Sequence, residues 1–140
     1  MIMLKDYYKQ HQNKFEEFID SALKEDIGSG DHTSLSCIDP ASKSIAVLLC
    51  KQEGILAGLD LAAQIYKRYD SLLEFTPLKA DGTKVEAGAH LFKIAGSTQS
   101  ILATERLVLN TLQRMSGIAT LTHRLTQKIA HTSCKLLDTR

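Results

Sequence analysis

From Ser97 to Ser116 the chain carries only three charged residues, Glu105, Arg106 and Arg114. Ile101, Leu102, Val108, Leu109, Leu112 and Met115 recur through the same stretch and supply apolar contacts on more than one helical face. A helix of that kind presents apolar surface on more than one face. Ser97 is a suitable N-cap. Gly117 stands where a helix commonly closes on a left-handed residue. The expectation is a long helix ending at Gly117 and a second helix marked by Ile118, Leu121, Leu125 and Ile129.

Other elements are legible upstream. Phe15, Phe18, Ile19, Ala22 and Leu23 fall at helical spacing opposite Glu16, Glu17, Asp20 and Lys24, which makes an amphipathic helix. It stops at Asp26-Ile27-Gly28-Ser29-Gly30-Asp31, where glycines and carboxylates make a tight loop. Ser44 to Cys50 and Gly54 to Ala57 read as strands, and the stretch from Gly58 to Tyr69 returns to helix through Leu59, Ala62, Ala63 and Tyr66. Leu72 to Lys79 is extended, with Pro77 placing it at an edge or at the end of pairing. Asp81-Gly82 is a turn, followed by short strands at Thr83 to Val85 and His90 to Ala95. At the far end Cys134 to Arg140 reads as a strand reaching its polar terminus, with nothing in this chain to pair with it. That boundary looks imposed on the chain.

Composition excludes several classes of function. A chain of 140 residues is one domain, or a small domain with a fragment of a second. Its apolar fraction of 44% and charged fraction of 24% are those of a globular protein. With a formal net charge of +1 and no dense Lys/Arg run, nothing points to nucleic acid. No run of about 18 apolar residues is available to span a membrane, and the opening Met1 to Asp6 is charged too soon for a signal peptide. Cys37, Cys50 and Cys134 are odd in number and lack Cys-x-x-Cys spacing, as reduced thiols of a cytoplasmic protein would.

Two places could carry chemistry. Arg106 shares a helical face with Leu102, Leu109 and Asn110. One reading pairs it with a carboxylate, stem on apolar surface and head in water. The other projects an anion-binding guanidinium from a rigid helix, since its planar fork matches carboxylate and phosphate bidentately. Asp138-Thr139-Arg140 is the second place: either catalytic groups at the C-terminal end of a barrel strand, or a strand turning polar as it leaves the core. The Asp26 to Asp31 loop lacks the Gly-Lys-Ser/Thr of a phosphate loop, the full dinucleotide fingerprint and the spacing of a calcium loop, so it reads as a structural turn. His11, His32, His90, His123 and His131 show no metal-ligand spacing.

Taken in order, these segments resemble one family. Leu23 to Ser34, Gly54 to Gly58, the Asp81-Gly82…Val85…Gly88 turn, Glu105 to Asn110, Gln113 to Thr120 and Leu137 to Arg140 follow the pattern of quinolinate phosphoribosyltransferases. The resemblance implies an α+β chain: an N-terminal α/β sandwich of the α/β-hammerhead kind over residues 1–117, then at 118–140 the first helix and strand of an α/β barrel that is cut short. It implies transfer of phosphoribosyl from phosphoribosyl pyrophosphate to quinolinate, with decarboxylation to nicotinate mononucleotide and release of pyrophosphate. It implies substrate binding by Arg106, Thr139 and Arg140, and a homodimer in which Arg106 serves the neighbouring subunit's site. It implies Mg²⁺, with ligands in the part beyond Arg140, so this chain alone is expected to be inactive. Asp138 goes with structure more than chemistry. The competing readings are a phosphoribosyltransferase for nicotinate or another acid, a molybdenum-associated paralogue, or a dimerisation piece. A lipoyl- or biotinyl-carrier hairpin over Asp81 to Leu91 is the last, and it lacks the Met-Lys-Met or Asp-Lys-Ala turn.

Overall fold

A computed structural model describes residues 10–137. Helix α1 (Gln12–Ile27) buries Ile19 and stops at Gly28, whose φ of 57° lets its N–H close onto the carbonyl of Lys24 at 3.0 Å. A short α2 (His32–Cys37) follows, capped by Asp31, whose carboxylate accepts from the N–H and the hydroxyl of Ser34. Then come β1 (Lys43–Leu49), β2 (Gly54–Ile55), α3 (Leu59–Tyr69), β3 (Glu74–Pro77), β4 (Lys84–Val85), β5 (His90–Ser97) and α4 (Thr98–Ile129).

The strands of the described residues form two antiparallel sheets. In the larger sheet β5 is central, flanked by β1 and β3, with Lys43 opposite Ser97 and Glu74 opposite Ala95. Pro77 closes β3 on an edge, where its missing N–H costs no ladder bond. The smaller ladder pairs Gly54 with Val85 and Ile55 with Lys84. Along β1 the side chains alternate: Ala46 and Leu48 pack toward the core, while Ile45, Val47 and Leu49 stand exposed on the other face.

One hydrophobic core joins these layers. Ile19, Leu56, Leu59, Ile65, Ile94, Val108 and Leu112 are nearly or fully buried in it, and the rings of Tyr66, Phe75 and Phe92 cluster within 6.0 Å of one another. Helix α4 lies at its centre and contacts α1, α2, α3, β1, β2 and β5. The low charge of its first two turns is thereby explained, because those faces are covered from several directions. Gly58 at the start of α3 has φ 105°, and a Cβ there would lie 2.9 Å from the sulfur of Met115. The missing side chain lets α3 begin directly against α4.

Two expectations are corrected. Helix α4 does not end at Gly117; it runs unbroken for 32 residues to Ile129. Gly117 is not among the glycines of positive φ, and an interior glycine weakens a helix by only about 1 kcal/mol relative to alanine. The residues beside it hold the helix in register. The Ser116 hydroxyl accepts from the N–H of Ala57 at 3.0 Å, and that of Thr120 accepts from the N–H of Ile55 at 2.9 Å. The second correction is at the far end: Cys134 to Leu137 form no strand. A strand is made by its ladder, and nothing pairs with this segment among the described residues. Asp138, Thr139 and Arg140 lie outside the described residues.

Candidate functional site

Arg106 projects from the third turn of α4, two residues before the fully buried Val108 that anchors its turn to the core. Its side chain is 78% exposed. The neighbour in sequence, Glu105, is not its partner, since adjacent residues on a helix do not face each other. The partner is Asp26 in the last turn of α1, with Oδ1 3.9 Å from Nη1 of Arg106. At that separation the two charges attract, but no direct hydrogen bond forms. The guanidinium keeps its N–H donors available.

The loop after α1 completes the surroundings. Asp26, Asp31, His32, Thr33 and Arg106 line a cavity of about 340 Å³, floored by Leu102 and Ala103. The Ser34 hydroxyl, and then its backbone N–H, hold the Asp31 carboxyl below the usual carboxylate range. His32 is tied back through Nε2 to the Ser29 hydroxyl at 3.0 Å. The loop therefore is the turn and cap its composition announces, and it is also one wall of the space beside Arg106. Sequence reading missed that second role. The available signal was a carboxylate at a helix C-terminus, where the macrodipole disfavours it.

Arg106 is the one Arg or Lys of the described residues lining this cavity, beside the carboxylates of Asp26 and Asp31. A planar fork of five donors on a rigid helix suits a carboxylate or phosphate. Among the described residues no group of three or more His, Cys, Asp or Glu side chains is placed to hold a metal ion. No helix of the described residues is long and apolar enough to cross a membrane. A carrier hairpin also fails on geometry: β4 pairs with β2, and Lys84 lies inside that ladder, opposite Ile55.

Comparison with known proteins decides the family. The sequence profile described as "Quinolinate phosphoribosyl transferase, N-terminal domain" matches residues 31–116. The chain belongs to this family. A rice (Oryza sativa subsp. japonica) chloroplastic nicotinate-nucleotide pyrophosphorylase [carboxylating] is 39% identical over 123 residues, which is 87% of this chain and 33% of the relative. Among solved structures, NadC from Streptococcus pyogenes superposes with a TM-score of 0.87 at 30% identity, over 91% of this chain and 45% of that one. The nicotinate-nucleotide pyrophosphorylase of Francisella tularensis gives 0.84 at 36% identity, over 90% and 45%. The chain thus spans a third of the length of the rice relative and just under half of the solved chains.

For a quinolinate phosphoribosyltransferase N-terminal domain, the mixed helix-and-strand layout is the expected one, and Arg106 sits in the matched region. Thr139 and Arg140 follow the matched region and lie outside the described residues.

Proposed function

We propose that this chain is the N-terminal part of an enzyme that transfers phosphoribosyl from phosphoribosyl pyrophosphate to quinolinate. The ring nitrogen of quinolinate bonds to the anomeric carbon of the ribose, the bond from that carbon to pyrophosphate breaks, and the carboxylate next to the nitrogen leaves as carbon dioxide, its electron pair staying on the ring carbon and taking up a proton from water. The product is nicotinate mononucleotide. The observation that carries the reading is the family match over residues 31–116, which contains Arg106 and, of the residues lining its cavity, Asp31, His32, Thr33, Leu102 and Ala103.

The division of labour follows from the chemistry. Both substrates are polyanions, so the site must hold carboxylate and phosphate groups together against their repulsion. Bidentate guanidinium groups do this without taking up protons. Arg106, with its donors unspent, is one such group. Arg140, with Thr139 beside it, is the second, at the polar end of the first barrel segment. In this reading residues 1–117 belong to the sandwich domain and 118–140 open the barrel, with α4 passing continuously from one to the other. Arg106 serves the site of a neighbouring subunit in a homodimer, which suits a guanidinium that stands 78% exposed on its own chain. Mg²⁺ supplies Lewis-acid stabilisation of pyrophosphate when bound, and its ligands belong to the barrel beyond Arg140. The free thiols Cys37, Cys50 and Cys134 go with a cytoplasmic setting.

The test is a product assay on the full-length protein, offering quinolinate and nicotinate in parallel with phosphoribosyl pyrophosphate. Formation of nicotinate mononucleotide from quinolinate, with one carbon dioxide per product, is the expected result. Product from nicotinate alone would move the assignment to the related phosphoribosyltransferases that accept that acid.

A further inference from the structure

Asp26 breaks a local rule. It stands in the last turn of α1, where the helix's own carbonyl groups make a carboxylate unfavourable. Its side chain is only 21% exposed, and among the described residues its one ion-pair partner is Arg106, with no hydrogen bond to its carboxylate. A half-sheltered carboxylate kept in an unfavourable place is held there for something other than its own helix.

The same chain shows what a closed ion pair looks like. Arg68 donates through Nε and Nη2 to both carboxylate oxygens of Asp20, at 2.7 and 2.6 Å, which uses up that face of its guanidinium. Asp26 stays 3.9 Å from Arg106. Both ends of this looser pair are firmly seated: α1 by the Gly28 turn and buried Ile19, and α4 by Val108 and Leu112.

We infer that Asp26 is a positioning residue for Arg106. Its charge draws the guanidinium over the cavity lined by Asp31, His32 and Thr33, at a distance that leaves the N–H donors free for a substrate carboxylate or phosphate. The inference rests on the proposed anion-binding role of Arg106. It adds a residue that acts through Arg106 and touches no substrate.

The test compares Asp26→Asn, Asp26→Glu, Arg106→Ala and the double variant Asp26→Asn/Arg106→Ala in the full-length protein. Asp26→Asn raises KM for quinolinate about two- to fivefold while kcat stays within about twofold, as loss of one exposed charge pair would. Asp26→Glu restores the carboxylate and recovers KM. In the Arg106→Ala background Asp26→Asn adds nothing. The melting temperature of Asp26→Asn holds or rises, because an unfavourable charge leaves the helix terminus. A further loss in the Arg106→Ala background, a lower KM, or a lower melting temperature with unchanged KM each overturns the inference. A readout without turnover is ¹⁵N relaxation of the Arg106 Nε–H. Asp26→Asn makes that group more mobile, and unchanged mobility contradicts the inference. If the wild type makes no product yet Arg106 loosens in Asp26→Asn, the reaction assignment falls and the positioning role stands.

Discussion

At the scale of single residues, charge pairs in this chain do two different jobs. Asp20 and Arg68 tie α1 to α3 with both hydrogen bonds made, whereas Asp26 and Arg106 attract each other without closing. The hydrogen bond from Arg68, then its charge, holds the Asp20 carboxyl below the usual carboxylate range. A carboxylate with a depressed folded pKa stabilises the fold above its unfolded value of 3.8, and the contribution is lost as pH falls through the folded value. The melting temperature of the wild type should therefore exceed that of Asp20→Asn at neutral pH, and the two should converge as acid is added below that value. A gap that persists in acid would mean that the pair contributes through something other than charge. Tyr66 shows the opposite sign: burial, and then the charge of Glu105, pushes its phenol up to about 12. Arg106 was visible in the sequence as a lone cation on an apolar helical face. Its true partner was not, because Asp26 meets it only through the packing of α1 on α4 and no local spacing records such a contact.

Among the elements, the clearest signals were local ones. The apolar stripe of α1, the Ser97 cap of α4 and the edge position of Pro77 could each be read from a few residues; the last two stand as expected, while the stripe holds at Ile19 and Leu23 but leaves Phe18 exposed. The errors came where a local signal competed with tertiary contacts. Gly117 has the composition of a helix end, yet Ser116 and Thr120 bind the backbone of Ala57 and Ile55 and carry the helix through it. Thr120→Val keeps shape but leaves the Ile55 N–H without its acceptor, and should cost about 1–3 kcal/mol in urea unfolding. A loss no larger than that of an exposed control such as Thr126→Val would show that the tie is not what holds β2 to α4. Gly58→Ala tests the contact at the start of α3. Its positive φ and the nearness of Met115 should lower stability by about 1–3 kcal/mol, and a pairing change Met115→Ala should recover part of it. The segment from Cys134 was read as a strand on its apolar and β-adjacent composition, which cannot supply the neighbouring strand that a ladder needs.

For the molecule as a whole, the order of motifs carried more than any one of them. Composition placed the chain only among globular proteins. The succession from Leu23 to Thr120 pointed to the family that the profile match then established. The site itself was half legible: Arg106 is placed beside a cavity, while Thr139 and Arg140 lie outside the described residues. The service to a neighbouring subunit's site proposed for Arg106 depends on how two copies meet, which no spacing within one chain records. The most direct measurement of the whole account is nicotinate mononucleotide formation by mixed full-length subunits. Arg106→Ala and Arg140→Ala should each lose about 10–100-fold in kcat/KM when alone, as removal of a charged hydrogen-bonding group does. Unfolded and refolded together, they should recover about a quarter of wild-type activity, because half the dimers are mixed and one of their two sites then has both arginines. No recovery, with each variant folded and dimeric, would contradict the shared site; full activity in either variant alone would contradict the role given to that arginine.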